Sequence, residues 1–485
     1  MGTMNGRNVV EVDFGQIEFA ADRRPKYAVL ESAVRAAIAE GTLTPGTRLP
    51  PVRELAHRVG VTPGTVARVY RTLTEAGLLE AAVGRGTFVA APPAPAPIYR
   101  EMIGAPALEA DAMPHNSGGD AYEVNVLSPH LPSVGQAELI RALLAEVAAD
   151  PPSGMMHYPT HDGAAHVRAA ACAFLSDPML GPLDPDDVVP TLGGQQAISL
   201  VLQCVLTGRR PVVAVEALSY PGFRRMAEML RADVVTVPTD ADGLIPEAMA
   251  EVAQRTGAQV LCLSPDVQNP TCALMPEDRR HALAEVARAA DMQILEDDCY
   301  RMGAAELPSL RLLAPERTWH VSSIAKTITP ALRLGFATAP AAHRLALRRA
   351  VEYNCFGLPT PLADLGAKLL SHPDLPGLMA ETRAAVARYV AIAARVLDGH
   401  DLRWRPDVSF LWLTLPPGWR ASAFVRAAEA AGLKLRAAEE YASRDDNAPH
   451  AVRFAVNAGV TPASFEAAMV RMRDLLDHPP EGIGV

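Results

Sequence analysis

Residues 91–120, APPAPAPIYREMIGAPALEADAMPHNSGGD, are rich in proline and alanine and carry no sustained apolar period. A segment of this kind has no face to bury, so it reads as an extended, semi-stiff linker. It divides the 485-residue chain into a short N-terminal part and a long C-terminal part. A chain of this length is too long for one hydrophobic core, and the linker shows where the first division falls. Three segments follow: a domain over 20–90, the linker over 91–120, and a domain over 121–485. The last divides into a large part of about 150–345 and a small part of about 346–485.

The first segment predicts one compact module. Apolar residues Val29, Leu30, Ala33 and Ala37 share one helical face from Tyr27 to Glu40, and Gly41 stops it. Two short helices follow, Pro51–Val59 and Pro63–Ala76, each with proline in its first turn and glycine just past its end. LLEAAVGRGTFV then predicts a hairpin turning at Gly84–Gly86.

Charge separates the two parts. Residues 1–90 carry 11 Lys+Arg and 9 Asp+Glu, a net of +2, while the remainder carries 34 and 46, a net of −12. Only the first part can approach a polyanion without repulsion, which points to nucleic acid. The six cysteines form no C-x-x-C pair, which argues against a disulfide framework and against a zinc site, so no metal is expected. No apolar run reaches the length of a membrane span and the N-terminus lacks a signal-peptide core, so the expected compartment is the cytoplasm, with no membrane partner.

Beyond about residue 122, apolar runs PVVAV (211–215), DVVTV (233–237), QVLCL (259–263), MQILE (292–296) and TWHVS (318–322) alternate with helical stretches. That rhythm predicts βαβ units around a mostly parallel sheet. A long helical region over 341–398 and a smaller strand-helix segment complete the chain.

The chain has four lysines, Lys26, Lys326, Lys368 and Lys434, arginine having taken over the remaining positive charge. A lysine retained in SSIAKTITPALRLGF, just beyond an apolar strand, invites a chemical reason. Lysine amines can be tuned to form a Schiff base, whereas a guanidinium stays protonated.

The ordered set P-G-T-R-L-P, R-E-L-A, G-V-T, T-V-x-R-x-Y, G-L-L and G-x-G-T-F-V over residues 45–89 resembles the winged helix of the GntR family. A helix in the major groove presents its first turns to base edges while its N-terminus suits phosphate. The resemblance implies double-stranded operator DNA as partner. It names Arg53, Thr62, Thr65, Arg68, Arg85 and Gly86 as DNA contacts; Arg48 frames the helix as a natural phosphate or minor-groove contact and Gly64 lies at its outward end, which completes the DNA-contacting set. Pro63 departs from the Arg or Ser usual after the threonine, so the operator is expected to differ.

SSIAKTITPALRLG resembles the lysine motif of fold-type I aminotransferases, which use pyridoxal 5'-phosphate. The resemblance implies that Lys326 carries the cofactor as an internal aldimine and that Ser323 and Arg333 hold its phosphate. In LEDDCY, Asp297 would pair with the pyridine nitrogen and Tyr300 with the phenolic oxygen. Asp298 competes for the nitrogen, the D-x-x-Y spacing favouring Asp297. Gly194 and Gln195 would offer backbone amides to the phosphate, Tyr220 would stack on the ring, and Asn269 would contact the phenolic oxygen. Tyr158 corresponds to a tyrosine that reaches the neighbouring subunit's phosphate, and Arg453 to the arginine that clamps a substrate carboxylate. Cys272, where glycine usually follows N-P-T, and Cys299 depart from the pattern, which bears on how substrates sit more than on cofactor binding.

The two resemblances in this order match the MocR subfamily of GntR regulators. The fold class implied is multidomain, with an N-terminal winged helix-turn-helix (α+β) joined to an α/β fold-type I aminotransferase-like domain. The family implies a head-to-tail homodimer that senses an amine or amino-acid effector through aldimine exchange at Lys326, with regulation rather than turnover as its primary role. The alternative is a catalytically active aminotransferase that carries a DNA-binding domain.

Overall fold

The computed structural model describes residues 25–39, 41–76, 78–82, 86–90, 123–443 and 446–479. The linker of 91–120 and the wing residue Arg85 lie outside the described residues. The chain forms two compact units, residues 1–104 and 105–485.

In the first unit α1 (Lys26–Ala39), α2 (Val52–Arg58) and α3 (Pro63–Glu75) close on one core of Leu30, Val34, Leu55, Val66, Val69 and Leu73. Helix α3 begins where the sequence provides a start. The Thr62 side chain accepts from the Thr65 amide at 3.3 Å, and Pro63 occupies the first turn, where no N–H is missed. Each such fully buried Leu or Val contributes about 1.5–3 kcal/mol, so a charge at Leu73 would undo the module. Strands β1 (Leu79–Ala82) and β2 (Gly86–Val89) pair antiparallel, Leu79 opposite Val89. Residues 47–49 extend this wing, the Leu49 amide donating to Thr87 O and the Val89 amide to Thr47 O, both at 2.9 Å.

The second unit begins with β3 (Val124–Asn125), α4 (Gln136–Ala149), α5 (Ala165–Leu175), β4 (Val188–Thr191) and α6 (Gly194–Val205). There follow β5 (Val212–Glu216), α7 (Pro221–Met229), β6 (Asp233–Val237) and a short hairpin of β7 (Thr239–Asp240) and β8 (Gly243–Leu244). Next come α8 (Pro246–Thr256), β9 (Val260–Leu263), α9 (Glu277–Ala289), β10 (Gln293–Asp297), α10 (Leu310–Leu313), β11 (Thr318–Ser323) and β12 (Gly335–Thr338). Seven of these strands form one sheet in the order β4-β12-β11-β10-β9-β5-β6. Strand β12 alone runs against its neighbours. The sheet is buried on both faces, which is why its strands read as unbroken apolar runs. In β9, Val260 and Cys262 enter one core while Leu261 and Leu263 enter another. From β5 the chain moves outward to β6, whereas from β9 it moves the other way to β10. The crevice beyond the strand ends at this switch is where doubly wound sheets bind ligands.

Helices α11 (Arg344–Cys355) and α12 (Thr360–Leu370) pack on the large sheet's cores through Leu347, Val351, Leu365 and Leu369. Helix α13 (Leu375–Val396) leads into a second layer. There β13 (Leu402–Arg403), β14 (Phe410–Thr414), β16 (Arg436–Ala437) and β17 (Ala451–Ala455) form an antiparallel sheet in the order β13-β14-β17-β16. Helices α14 (Ala421–Ala430) and α15 (Pro462–Asp477) cover it. Strand β15 (Leu433–Lys434) pairs parallel with β3, so Val124 and Val126 join the core of this C-terminal layer. Among the described residues no helix is long and apolar enough to cross a membrane.

Candidate functional site

In the first unit the N-terminal end of α3 lies open. Arg48, Arg53, Thr62, Gly64 and Arg68 are exposed and Thr65 is half-buried. Thr62 and Thr65 hydroxyls also bond to each other at 2.9 Å, so Thr62 caps the helix as well as facing outward. The Arg68 guanidinium lies 3.8 Å over the ring of Tyr27, which restricts where it can point. Arg48 lies against the wing: a Cβ on Gly86 would come within 2.9 Å of Arg48 Nε, and Gly86 has φ +117°. Among the described residues no carboxylate pairs with Arg48, Arg53 or Arg68. The positive charge is therefore left for an outside partner.

In the second unit the strand ends converge on the start of α6. Gly193 precedes it with φ +80°, and a Cβ there would lie 2.6 Å from Arg333 Nη2. A Cβ on Gly194 would lie 2.6 Å from the Cys299 sulfur and 3.8 Å from Ser323 Cβ. A Cβ on Gly335 would lie 2.5 Å from the carbonyl carbon of Gly193. Two stretches of backbone, at 193–194 and at Gly335, meet here with the Arg333 guanidinium and the Cys299 sulfur packed against the first, where a twelve-residue helix starts. The Ser323 hydroxyl donates to Leu334 O at 3.1 Å and accepts from the Ala325 amide at 3.2 Å, which fixes the turn that presents Lys326.

Lys326 Nζ stands 5.5 Å from the centre of the Tyr300 ring, with no carboxylate partner among the described residues. Tyr300 accepts from Arg453 Nη2 at 3.1 Å. Burial alone would raise the Tyr300 phenol, but the cations of Lys326 and Arg453 outweigh it and hold it below its usual value. Asp297, at the end of β10, is buried and forms no ion pair among the described residues; its Oδ1 accepts from the Cys299 amide at 3.0 Å, and the Cys299 thiol also hydrogen-bonds the carboxylate. Burial pushes its carboxyl above the usual range. Its neighbour Asp298 is fully occupied. Arg301 grips it with bonds of 2.6–3.0 Å, His320 Nε2 stands 3.3 Å away, and Asp177 and Asp266 complete the cluster around Arg301. Burial would raise Asp298, yet Arg301 and His320 hold it below the usual range.

The Tyr220 hydroxyl donates to Gln195 Oε1 at 2.7 Å, tying the β5 loop to α6. Asn269, after β9, is buried with Oδ1 lacking an acceptor's partner among the described residues. Cys272 has φ +63°, the left-handed region that favours glycine. Arg453, on β17, is 3% exposed and no carboxylate pairs with it among the described residues. Phe410 covers its guanidinium at 4.1 Å. Tyr158 lies apart from this group, 77% exposed, with its ring 5.3 Å from that of Phe356.

Reasoning from sequence missed Tyr441, which accepts from Arg453 Nη1 at 3.1 Å, along with Phe410, Glu216 and the Arg301 cluster. An arginine three residues after LEDD was the one available signal.

The family model of class I and II aminotransferases matches residues 130–472, and that of bacterial regulatory proteins of the gntR family matches residues 26–89. The HTH-type transcriptional regulator YdeF of Bacillus subtilis is 27% identical, covering 94% of this chain and 95% of its own. The probable rhizopine catabolism regulatory protein MocR of Rhizobium meliloti is 27% identical over 65% of this chain and 66% of its own. Among solved structures, the α-aminoadipate aminotransferase LysN of Thermus thermophilus superposes with a TM-score of 0.65 at 23% identity, covering 73% of this chain and 92% of that one.

This fold implies pyridoxal-phosphate dependence in the family. The residues present fit that group. They offer a glycine-built helix start beside the Arg333 guanidinium for a phosphate, and, among the described residues, a buried aspartate without a cation and a lysine amine without a carboxylate partner.

Proposed function

This chain belongs to the class I and II aminotransferase family and, through its gntR-family domain, to the MocR-type DNA-binding transcription regulators, and from there we propose that it senses an amine or amino acid at Lys326. When bound, the cofactor supplies an aldehyde that condenses with amines and a ring that withdraws electrons from them. Lys326 would hold it covalently, Asp297 would accept from its ring N–H, and Tyr220 would face the ring. Tyr300 and Asn269 would hold the phenolic oxygen. The amides of Gly194 and Gln195, with Ser323 and Arg333, would hold the phosphate. Arg453 takes the acid group of the incoming ligand. The first unit meets operator DNA through Arg48, Arg53, Thr62, Gly64, Thr65, Arg68, Arg85 and Gly86, in the cytoplasm.

We further propose a head-to-tail homodimer in which Tyr158 reaches the neighbouring copy's phosphate. The exposed apolar side chains Met156, Tyr158, Tyr353 and Phe356 support it.

The observation that carries the sensing role is Arg453: a buried guanidinium, in contact with the tyrosine beside Lys326, with no carboxylate of its own among the described residues. Such a charge calls for an anion brought by the ligand. Parallel titrations of amines against the cofactor's visible band and against operator binding test it. Wild type changes DNA affinity as the band shifts, whereas Lys326→Ala binds DNA and ignores the amine. A full response in Lys326→Ala overturns the role. The complete polar set around Lys326 also favours a second reading, a working aminotransferase, which steady keto-acid release from an amino acid would establish.

A further inference from the structure

The Nη1/Nη2 end of the Arg453 guanidinium is already engaged by protein acceptors. On Nη1, Tyr441 Oη accepts at 3.1 Å and the Leu127 carbonyl faces it at 3.5 Å. On Nη2, Tyr300 Oη accepts at 3.1 Å. Nε is buried with no acceptor among the described residues, and the Phe410 ring closes one face of the guanidinium at 4.1 Å. A guanidinium has five N–H bonds in a fixed fork, and a bidentate grip uses two parallel ones, either at the Nη1/Nη2 end or along the Nε side. Here Nη1 and Nη2 both have acceptors already, so the Nη1/Nη2 end is partly filled.

The residue that fills it has a donor of its own. Tyr441 is 2% exposed, accepts from Arg453, and donates its phenol proton to no acceptor among the described residues. Burial keeps that phenol protonated, above its ordinary value despite Arg453 and Arg436 nearby. Tyr300, on the other prong, is pulled the opposite way by two cations, so the two phenols are not equivalent.

Tyr441 is also held in place. Its carbonyl accepts from Arg224 Nη1 at 2.5 Å and from the Ser219 amide at 3.0 Å, and the Glu440 carbonyl accepts from Arg224 Nη2 at 2.7 Å. Leu218 and Ala442 form a bridge beside it, and the Trp412 ring meets its ring edge-on at 6.5 Å. The anchor is thus the segment 218–224, which carries Tyr220. A donor fixed this way is ready for a ligand without reorganisation.

We propose that Tyr441 is the second prong of the acid clamp: the ligand's carboxylate lies between Arg453 Nη2 and the Tyr441 hydroxyl, and this pair selects amines that carry a carboxylate. The proposal rests on the reading of Arg453 as the partner of the ligand's acid group. A phenol bond to a carboxylate is charge-assisted, and its loss is expected to cost about ten- to a hundredfold in affinity.

The test uses the full-length, cofactor-loaded protein and pairs of probes that differ only in the carboxylate, alanine with ethylamine and leucine with 3-methylbutylamine. Affinity is read from displacement of Lys326 in the visible spectrum. Tyr441→Phe keeps the ring against Trp412 and the backbone bonds. It is expected to weaken the amino acids at least tenfold and to leave the simple amines unchanged. Calorimetric titration of propionate into the cofactor-free protein should show the same loss. Parallel weakening of both members of each pair, or tighter binding of the amino acids, overturns the proposal. Arg453→Ala separates the two layers. If it too leaves the preference for the amino acid intact, the reading of Arg453 fails. If it abolishes the preference while Tyr441→Phe does not, only the role of Tyr441 fails.

Discussion

The Cβ that Gly193 lacks would stand 2.6 Å from Nη2 of Arg333, and Gly193 holds φ +80°, so the arginine reaches the start of α6 only because this position is glycine. Gly193→Ala therefore carries two faults, a backbone conformation that L side chains rarely adopt and a displaced guanidinium. Losing one charge-assisted phosphate contact is expected to weaken pyridoxal phosphate by about tenfold or more. Titrating cofactor-free protein with the cofactor, in competition with inorganic phosphate, measures it. Unchanged affinity would remove Arg333 from the phosphate site.

The three cations Arg48, Arg53 and Arg68 have no carboxylate partner among the described residues, and Thr62 has a structural duty. These roles separate under salt. Replacing an arginine that neutralises a phosphate should reduce the slope of log affinity against log salt by about 0.9 per contact. Thr62→Ala should instead lower the melting temperature of the N-terminal unit, through a lost cap of about 1 kcal/mol, with the slope unchanged. An Arg53→Ala protein whose salt slope equals that of wild type would take that residue out of the interface.

Glu216, at the end of β5, is 1% exposed, with Oε1 unpartnered among the described residues and Oε2 accepting from the Ser264 amide at 3.4 Å. Burial, aided by Asp297 and opposed by Gln268 and Ser264, pushes its carboxyl up from 4.5 to about 8. A raised value means the folded chain keeps a proton that the unfolded chain has released. The stability it contributes is complete below the ordinary value and is lost as pH rises from there through about 8. Glu216→Gln keeps the acceptor for Ser264 and removes the titration. Its melting temperature, followed by calorimetry across that window, should fall less with pH than wild type's. Superimposable profiles would show that Glu216 is charged in the fold.

How much of this was legible depended on whether the signal was local. Strand β9 reads plainly because burial on both faces forces every position to be apolar, and Lys326 stands out because arginine replaced nearly every other lysine. The start of α3 was equally open, since proline and a capping threonine sit together. Strand β12 runs antiparallel for a reason no window of sequence contains, its place between β4 and β11. Two residues, Val124 and Asn125, join the C-terminal layer by pairing with Leu433 and Lys434, far along the chain. Tyr441 was invisible for the same cause. Its neighbours Ser219 and Arg224 come from the other layer, and only the tertiary fold sets its hydroxyl on Arg453.

Asp297 and Asp298 are adjacent in sequence but opposite in electrostatics, and that contrast supports the proposal that Asp297 serves the cofactor's ring nitrogen. Asp298 is held low by Arg301 and His320, so its contribution to stability is present above the ordinary carboxylate range and is lost as pH falls through its depressed value. Asp297 is held high by burial without an ion pair among the described residues, so it costs stability as pH rises above the ordinary range. Removing one partner of a buried pair costs about 3–5 kcal/mol; with Asp177 and Asp266 still on Arg301, Asp298→Asn is expected near the lower end, about 3 kcal/mol. It should flatten the acid limb of the stability profile and leave cofactor affinity within a few-fold. Asp297→Asn should leave the cofactor-free protein as stable as wild type or more so at neutral pH, because a buried unpaired carboxyl is gone. The same change should weaken the cofactor by at least about tenfold, since a charged partner for the ring N–H is lost. Denaturant titration and cofactor titration of both variants give the four numbers needed. If Asp298→Asn loses the cofactor and Asp297→Asn keeps it, the nitrogen partner is Asp298, and the Arg301 cluster is part of the cofactor site rather than its support.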